Sequence, residues 1–171
     1  LSFPADVSGD PVVATRPVNR IIDGLPWVAI AIAGLVAGIF PASDPDVFFH
    51  LAAGRDIAAA GGIPRVETLT ALSAGRPFLN HEWLFDVALW GAFDAAGPQG
   101  TTVFQAVLLA VLSLLIARLA VRLGARPWAA VGAMAACLPL VRVAAEPRPW
   151  LAACVLAAGL CHALLDASTG R

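Results

Sequence analysis

The sequence predicts an all-α, polytopic membrane protein of four or five transmembrane helices, with an amphipathic surface helix in its first extracytoplasmic loop. Three observations lead there. Residues 24–43 run for twenty positions without a charge, the length a helix rising ~1.5 Å per residue needs to cross a ~30 Å hydrocarbon core. Further uncharged runs at 101–117, 127–141 and 149–165 exceed what one soluble core of 171 residues would bury. The composition agrees, at 59% hydrophobic and 13% charged, where soluble domains carry about 25% charged residues.

Residues 1–20 contain Pro4, Gly9, Pro11 and Pro17 with Arg16 and Arg20, and read as a flexible cytoplasmic tail, since Lys and Arg beside a first span tend to stay inside. Residues 21–171 then form a single helical membrane domain. The first span starts near Ile21 and ends at Phe40-Pro41. Pro-Trp pairs at 26–27, 127–128 and 149–150 each open an apolar run, as expected of proline in a first helical turn and tryptophan in the headgroup zone. Gly34-x-x-x-Gly38 permits close helix contact, a weak signal in a chain so rich in Ala and Gly.

The loop 41–80 holds most of the polarity. Ser43 or Asp44 can cap a helix with Pro45 in its first turn, and Gly61-Gly62 would end it near Ala60. Val47, Phe48, Leu51 and Ile57 against His50, Arg55 and Asp56 suggest a helix lying on the membrane surface. Ser73 to Pro77 reads as a turn, and Asn80 can cap a helix over 81–96. That helix places Glu82, Asp86 and Asp94 on one face, so it either turns the stripe toward a bundle or trapped water rather than lipid, or stays near the surface. If it stops short of crossing, Arg118, Arg122 and Arg126 fall in the cytoplasm; if it crosses, they face outward.

Several classes drop out. A net charge of −1 without a basic cluster gives no nucleic-acid footprint. Cys137, Cys154 and Cys161 lie inside apolar runs without ligand spacing and read as small hydrophobes. The first apolar run is too long and starts too late for a signal peptide. The chain opens on Leu1, as a trimmed chain or a piece of a longer one would.

Chemistry concentrates at the ends of the loop. Asp44 and Asp46 serve equally as a cap with an acidic first turn or as functional carboxylates. His50 is one turn from Asp46, and a carboxylate beside an imidazole can bind a divalent metal or act as a general base. His81-Glu82 brings a second such pair to the loop's far end. Arg142 and Arg148, with Glu146 between them, form either an ordinary charged turn or phosphate-binding arginines. His162, deep in the last span, is expected to hydrogen-bond within the bundle.

Asp44-Pro45-Asp46-Val47-Phe48-Phe49-His50-Leu51-Ala52-Ala53-Gly54, Gly62-Ile63-Pro64-Arg65, Gly75-Arg76-Pro77-Phe78 and His81-Glu82-Trp83-Leu84 resemble the N-terminal part of the GT-C glycosyltransferases. The likeness is to bacterial relatives of the dolichyl-phosphate-mannose protein mannosyltransferases and aminoarabinose transferases. Arg142 to Trp150 resembles a later family stretch with an Arg-Pro pair before a membrane helix. The resemblance spans roughly 20–165. It implies a polyprenyl-phosphate sugar donor, an integral place in the bacterial cytoplasmic membrane and a periplasm-facing loop 41–80. Asp44 matches the family's loop aspartate best, as base toward the acceptor or as metal support, with Asp46 second. His50, His81 and Glu82 would support them, Asp46 and His50 could hold a divalent metal, and Arg142 and Arg148 could meet the phosphate. The family pattern also favours a crossing helix at 81–96. Complete members have about twice as many spans, and Phe48-Phe49 replaces the usual tryptophans. The alternative function is a non-catalytic integral-membrane subunit, derived from the same module, packing against other membrane proteins.

Overall fold

The computed structural model describes residues 20–170, so the expected tail lies, apart from Arg20, outside the described residues. Five helices follow one another: α1 (Arg20–Gly38), α2 (Asp46–Ala60), α3 (Trp83–Arg122), α4 (Pro127–Ala144) and α5 (Pro149–Thr169). Between α2 and α3 the chain makes a small two-stranded turn in which Val66 bridges Pro77.

Helix α3 is two arms. Its helical dihedrals fail at Ala96 (φ −147°, ψ 17°) and Gly97 (φ 60°, ψ −147°), and the second pair belongs to a region open essentially to glycine. Pro98 follows as the first residue of the second arm, where its missing N–H costs nothing. In one continuous helix Phe85 and Phe104 would stand about 28 Å apart along the axis. Their ring centroids are 5.8 Å apart, so the first arm, 83–95, folds back onto the second, 98–122. Gly100 makes the crossing possible: a Cβ there would lie 1.8 Å from the carbonyl oxygen of Ala92.

The fold-back fixes which residues share an end of the molecule. The Arg118 guanidinium lies 5.5 Å over the Trp27 ring near the start of α1. Arg122 pairs with Asp166 at 2.7 Å near the end of α5. At the other end, Arg142 lies 5.2 Å over Phe40 and Ser43 donates to Glu146. The helix 81–96 therefore does not carry the chain across the bundle, against the crossing arrangement that the family pattern favoured. Arg118, Arg122 and Arg126 end up opposite the polar loop.

Two of the five helices, α3 and α5, are long and apolar enough to cross a membrane; Ile22–Gly38 and Pro127–Arg142 are shorter apolar helices. The expected all-α architecture is met, with two helices long enough to span rather than the four or five expected; 81–96, whose crossing the sequence left open, is an arm of a hairpin. Leu156, Leu160 and Leu164 of α5, and Val103, Val107 and Val111 of α3, recur every fourth residue on exposed faces. Apolar stripes of this kind suit hydrocarbon better than water. Pro127 and Pro149 open α4 and α5 as expected. Pro26 lies inside α1 instead, because the helix begins two turns earlier at Arg20.

Small residues bring α1 onto α3. A Cβ on Gly38 would lie 2.4 Å from the Ala106 Cα, and one on Gly34 would lie 2.6 Å from the Ala110 Cα. Gln105, fully buried, donates from Nε2 to the Gly38 carbonyl at 2.8 Å and satisfies an end of α1. The glycine pair that looked weak in sequence is the seam of the main helix contact. Gly38→Val should overpack this seam and destabilise the protein by roughly 1–3 kcal/mol. Gly132→Ala, with nothing near its would-be Cβ, should leave the melting temperature in detergent unchanged or slightly raised.

Candidate functional site

Helix α2 starts where the sequence predicts. The Asp46 N–H donates to Asp44 Oδ1 at 3.0 Å, which makes the Asp44 carboxylate the cap, and Gly61 closes the helix in the left-handed region at φ 65°. Its orientation differs from the expected surface helix. Val47, His50, Leu51, Gly54 and Ile57 form one helical face, and that face is buried. It packs on the first arm of α3, with Phe85 and Leu89, while Phe48 is 74% exposed. Gly54 permits this approach, since a Cβ there would lie 2.1 Å from the Asp86 carbonyl oxygen.

His50, assigned by sequence to the polar face, is therefore 6% exposed. Its partner is Asp86, fully buried, whose Oδ1 lies 2.8 Å from His50 Nδ1. Asn80 donates from Nδ2 to Asp86 Oδ2 at 2.7 Å and accepts the Glu82 N–H on Oδ1 at 2.9 Å. A carboxylate at Asp86 only accepts, so Nδ1–H of His50 donates to it, and Nε2 is the ring nitrogen left free of that bond. The expectation that Asp86 meets protein is fulfilled. Asp94 is exposed beside the Gly97 turn, because the fold-back places the end of that arm at the surface.

The connection 145–148 docks on the start of α2. Ser43 donates to Glu146 from its backbone N–H at 3.2 Å and its hydroxyl at 2.7 Å. Arg148 pairs through one terminal nitrogen with Asp44, and with Asp46 at 3.3 Å. Its Nε is buried without an acceptor among the described residues. Pro147 is fully buried beneath. Arg142 is not part of this cluster; it stacks on Phe40.

Two cavities meet here. A polar one of about 450 Å³ is lined by Asp46, Phe49, His50, Glu82, Arg148 and Trp150. An apolar groove of about 780 Å³ runs from His81 and Glu82 between the two arms of α3 and α5, past Phe85, Phe104, Leu108, Trp150 and Leu156. Glu82, Pro149 and Trp150 line both. Glu82 Oε2 is 4.0 Å from His50 Nδ1, and the exposed His81 lies 3.7 Å from Glu82 Oε1. Of the residues singled out by sequence, Asp46, His50, Glu82 and Arg148 share one pocket, Asp44 backs it, and His81 sits at the mouth of the groove. Among the described residues no group of three or more His, Cys, Asp or Glu side chains is gathered closely enough to hold a metal. The positive charge facing Asp44 and Asp46 is Arg148.

Sequence reasoning missed two members, Asp86 as the buried partner of His50 and Asn80 as the bridge. The spacing 47, 50, 51, 54 and 57 held the available signal: it puts His50 on the apolar stripe, where a buried imidazole needs a partner. Away from the pocket, Glu67 accepts the backbone N–H groups of Leu69 at 2.7 Å and Thr70 at 3.1 Å. The Leu69 bond chiefly holds its carboxyl below the usual range. No family model matches the chain, and neither curated proteins nor solved structures give a match.

Asp86→Leu should cost roughly 2–4 kcal/mol, because it strips the acceptor from both the His50 ring and the Asn80 amide in a buried site. Asp94→Asn should change the melting temperature by no more than a surface substitution does. Equal effects would remove Asp86 from its place as the core of this network.

Proposed function

We propose that this chain is a GT-C-like membrane glycosyltransferase module taking a polyprenyl-phosphate-linked sugar as donor. The observation that carries the reading is the continuity of the polar pocket with the apolar groove through Glu82, Pro149 and Trp150. A lipid-phosphate donor has that division: a hydrocarbon chain for the groove and a charged head for the pocket. In this reading α1, the second arm of α3, α4 and α5 cross the bacterial cytoplasmic membrane, the shorter helices being accommodated by local thinning. The end bearing Arg118, Arg122 and Arg126 stays inside, and the loop 41–80 faces the periplasm.

The residues then divide the work. Asp44 and Asp46 engage one terminal nitrogen of Arg148, and a guanidinium carries five N–H donors. Its remaining donors meet the donor phosphate and stabilise charge as it leaves. Asp46, exposed beside the pocket, takes the proton of the acceptor hydroxyl. The acceptor oxygen bonds to the sugar's anomeric carbon as the bond from that carbon to the phosphate oxygen breaks, with inversion. His50, fixed by Asp86, presents Nε2 as a second proton acceptor in the same pocket. Asp44 caps α2 and holds Arg148, so it acts through the arginine. A divalent cation at Asp46 and His50, the other role proposed for this pair, predicts loss of turnover on chelation; the arginine reading predicts none.

A second reading rests on the apolar groove of about 630 Å³ between α1 and α4, lined by Ala29, Ile32, Ala33, Val36, Ala37 and Leu138. Small residues along a groove suit a helix of another membrane protein, as a non-catalytic subunit would require. The test uses the chain, or its full-length parent, reconstituted with a polyprenyl-phosphate sugar. Asp46→Asn should lower turnover about 10²–10⁴-fold at an unchanged melting temperature. Arg148→Gln should raise the donor KM and lower kcat. Asp44→Asn keeps the helix cap and should lose less than Arg148→Gln. Normal turnover in all three would leave these residues as a loop clamp and favour the subunit.

A further inference from the structure

At the opposite end, α1, the second arm of α3 and α5 border an open, mainly apolar cavity of about 360 Å³ into which two arginines and a histidine reach. Trp27, Leu115, Arg118, Val121, Arg122 and His162 line it. The Arg122 Nη1 donates to Asp166 Oδ1 at 2.7 Å and to the His162 carbonyl at 3.4 Å. The His162 Nε2–H donates to the Leu115 carbonyl at 3.0 Å, which fixes the ring in the wall. Arg118 has no carboxylate partner among the described residues. Its guanidinium is held 5.5 Å over the indole of Trp27, an arrangement that positions the charge without neutralising it. Two arginines against Asp166 leave the cavity with a surplus positive charge.

We infer that this cavity binds the phosphate of an anionic glycerophospholipid. Its depth fits: α3 ends at Arg122, α4 begins at Pro127 and α5 ends at Thr169, so the arginines lie where apolar helices give way to polar chain, at headgroup level. Trp27 belongs to the same zone. Leu115 supplies apolar wall on the core side of the charges and Val121 beside them, and the exposed leucine stripe of α5 continues into the region that acyl chains would occupy. Basic pockets between membrane helices recognise anionic headgroups in this way. The site is separate from the proposed transfer pocket and does not depend on the chain being a transferase.

The test uses the full chain in nanodiscs or detergent, with phosphatidylglycerol, phosphatidylcholine and inorganic phosphate as probes and native mass spectrometry as readout. Phosphatidylglycerol should be retained over phosphatidylcholine, and inorganic phosphate should not displace it. Arg118→Gln should weaken that retention roughly fivefold, the equivalent of ~1 kcal/mol for one interfacial arginine. Arg55→Gln, whose side chain pairs with Asp56 in α2, should not. Equal retention of the two lipids by the unaltered chain would overturn the proposal, as would displacement by phosphate, which would make this a free-anion site. Should Arg118→Gln fail to fold, the comparison on the unaltered chain still decides it.

Discussion

Gly97, at φ 60° and ψ −147°, turns forty residues of helix into a hairpin, and the rest of the molecule follows from that turn. Straight, α3 would be about 60 Å long, twice a hydrocarbon core. Folded, its first arm becomes a platform at one end of the bundle. Asp86 is then set beneath α2, where it meets His50, and Phe85 is set against Phe104. The same turn sends the second arm away, so that Arg118 and Arg122 finish beside Trp27 and Asp166. A side chain at 97 would strain that backbone, and one at 100 would collide with the Ala92 carbonyl.

The short segment around Ser43 to Asp46 and the connection at Glu146 to Arg148 are joined by two hydrogen bonds from Ser43 and by Arg148 between two aspartates. Arg148 and Asp46 line one side of the pocket; His50, held from behind by Asp86, lines it as well. Arg148 and Asp46 keep partial access to water, so they need fewer partners than fully buried charges do. Asp86 is the exception, and it has two donors because it is fully buried. Beyond His81 and Glu82 at its mouth, the apolar groove alongside is lined, among the described residues, by rings and aliphatic chains between the arms of α3 and α5.

Local chemistry made much of this legible. Asp44-Pro45 and Gly61 bound α2, Pro127 and Pro149 open α4 and α5, and the break at 96 is written in Gly97-Pro98. Gly34 and Gly38 hinted at their contact only weakly, because small residues abound in this chain. The direction of the chain after Gly97 was not legible, because a Gly-Pro break can lead either to a new span or back along the old one. Pairings between distant segments were also hidden. His50 and Asp86 are 36 residues apart and Ser43 and Glu146 are 103 apart, and nothing at either position names the other. Helix α2 misled for a different reason: its polar residues are few, so the buried stripe was set by fit against Phe85 and Leu89 rather than by polarity.

Sidedness tests the fold-back most directly. With Cys137, Cys154 and Cys161 replaced by alanine, single cysteines at Ser73 and Leu123 are labelled with a membrane-impermeant thiol reagent in intact cells and again after permeabilisation. A first arm that folds back places the two positions on opposite sides, so that one of them alone is labelled in intact cells, and in the proposed orientation that one is Ser73→Cys. Labelling of both positions without permeabilisation would mean that 81–96 crosses. It would then return Arg118, Arg122 and Arg126 to the side of the pocket and contradict the architecture described above.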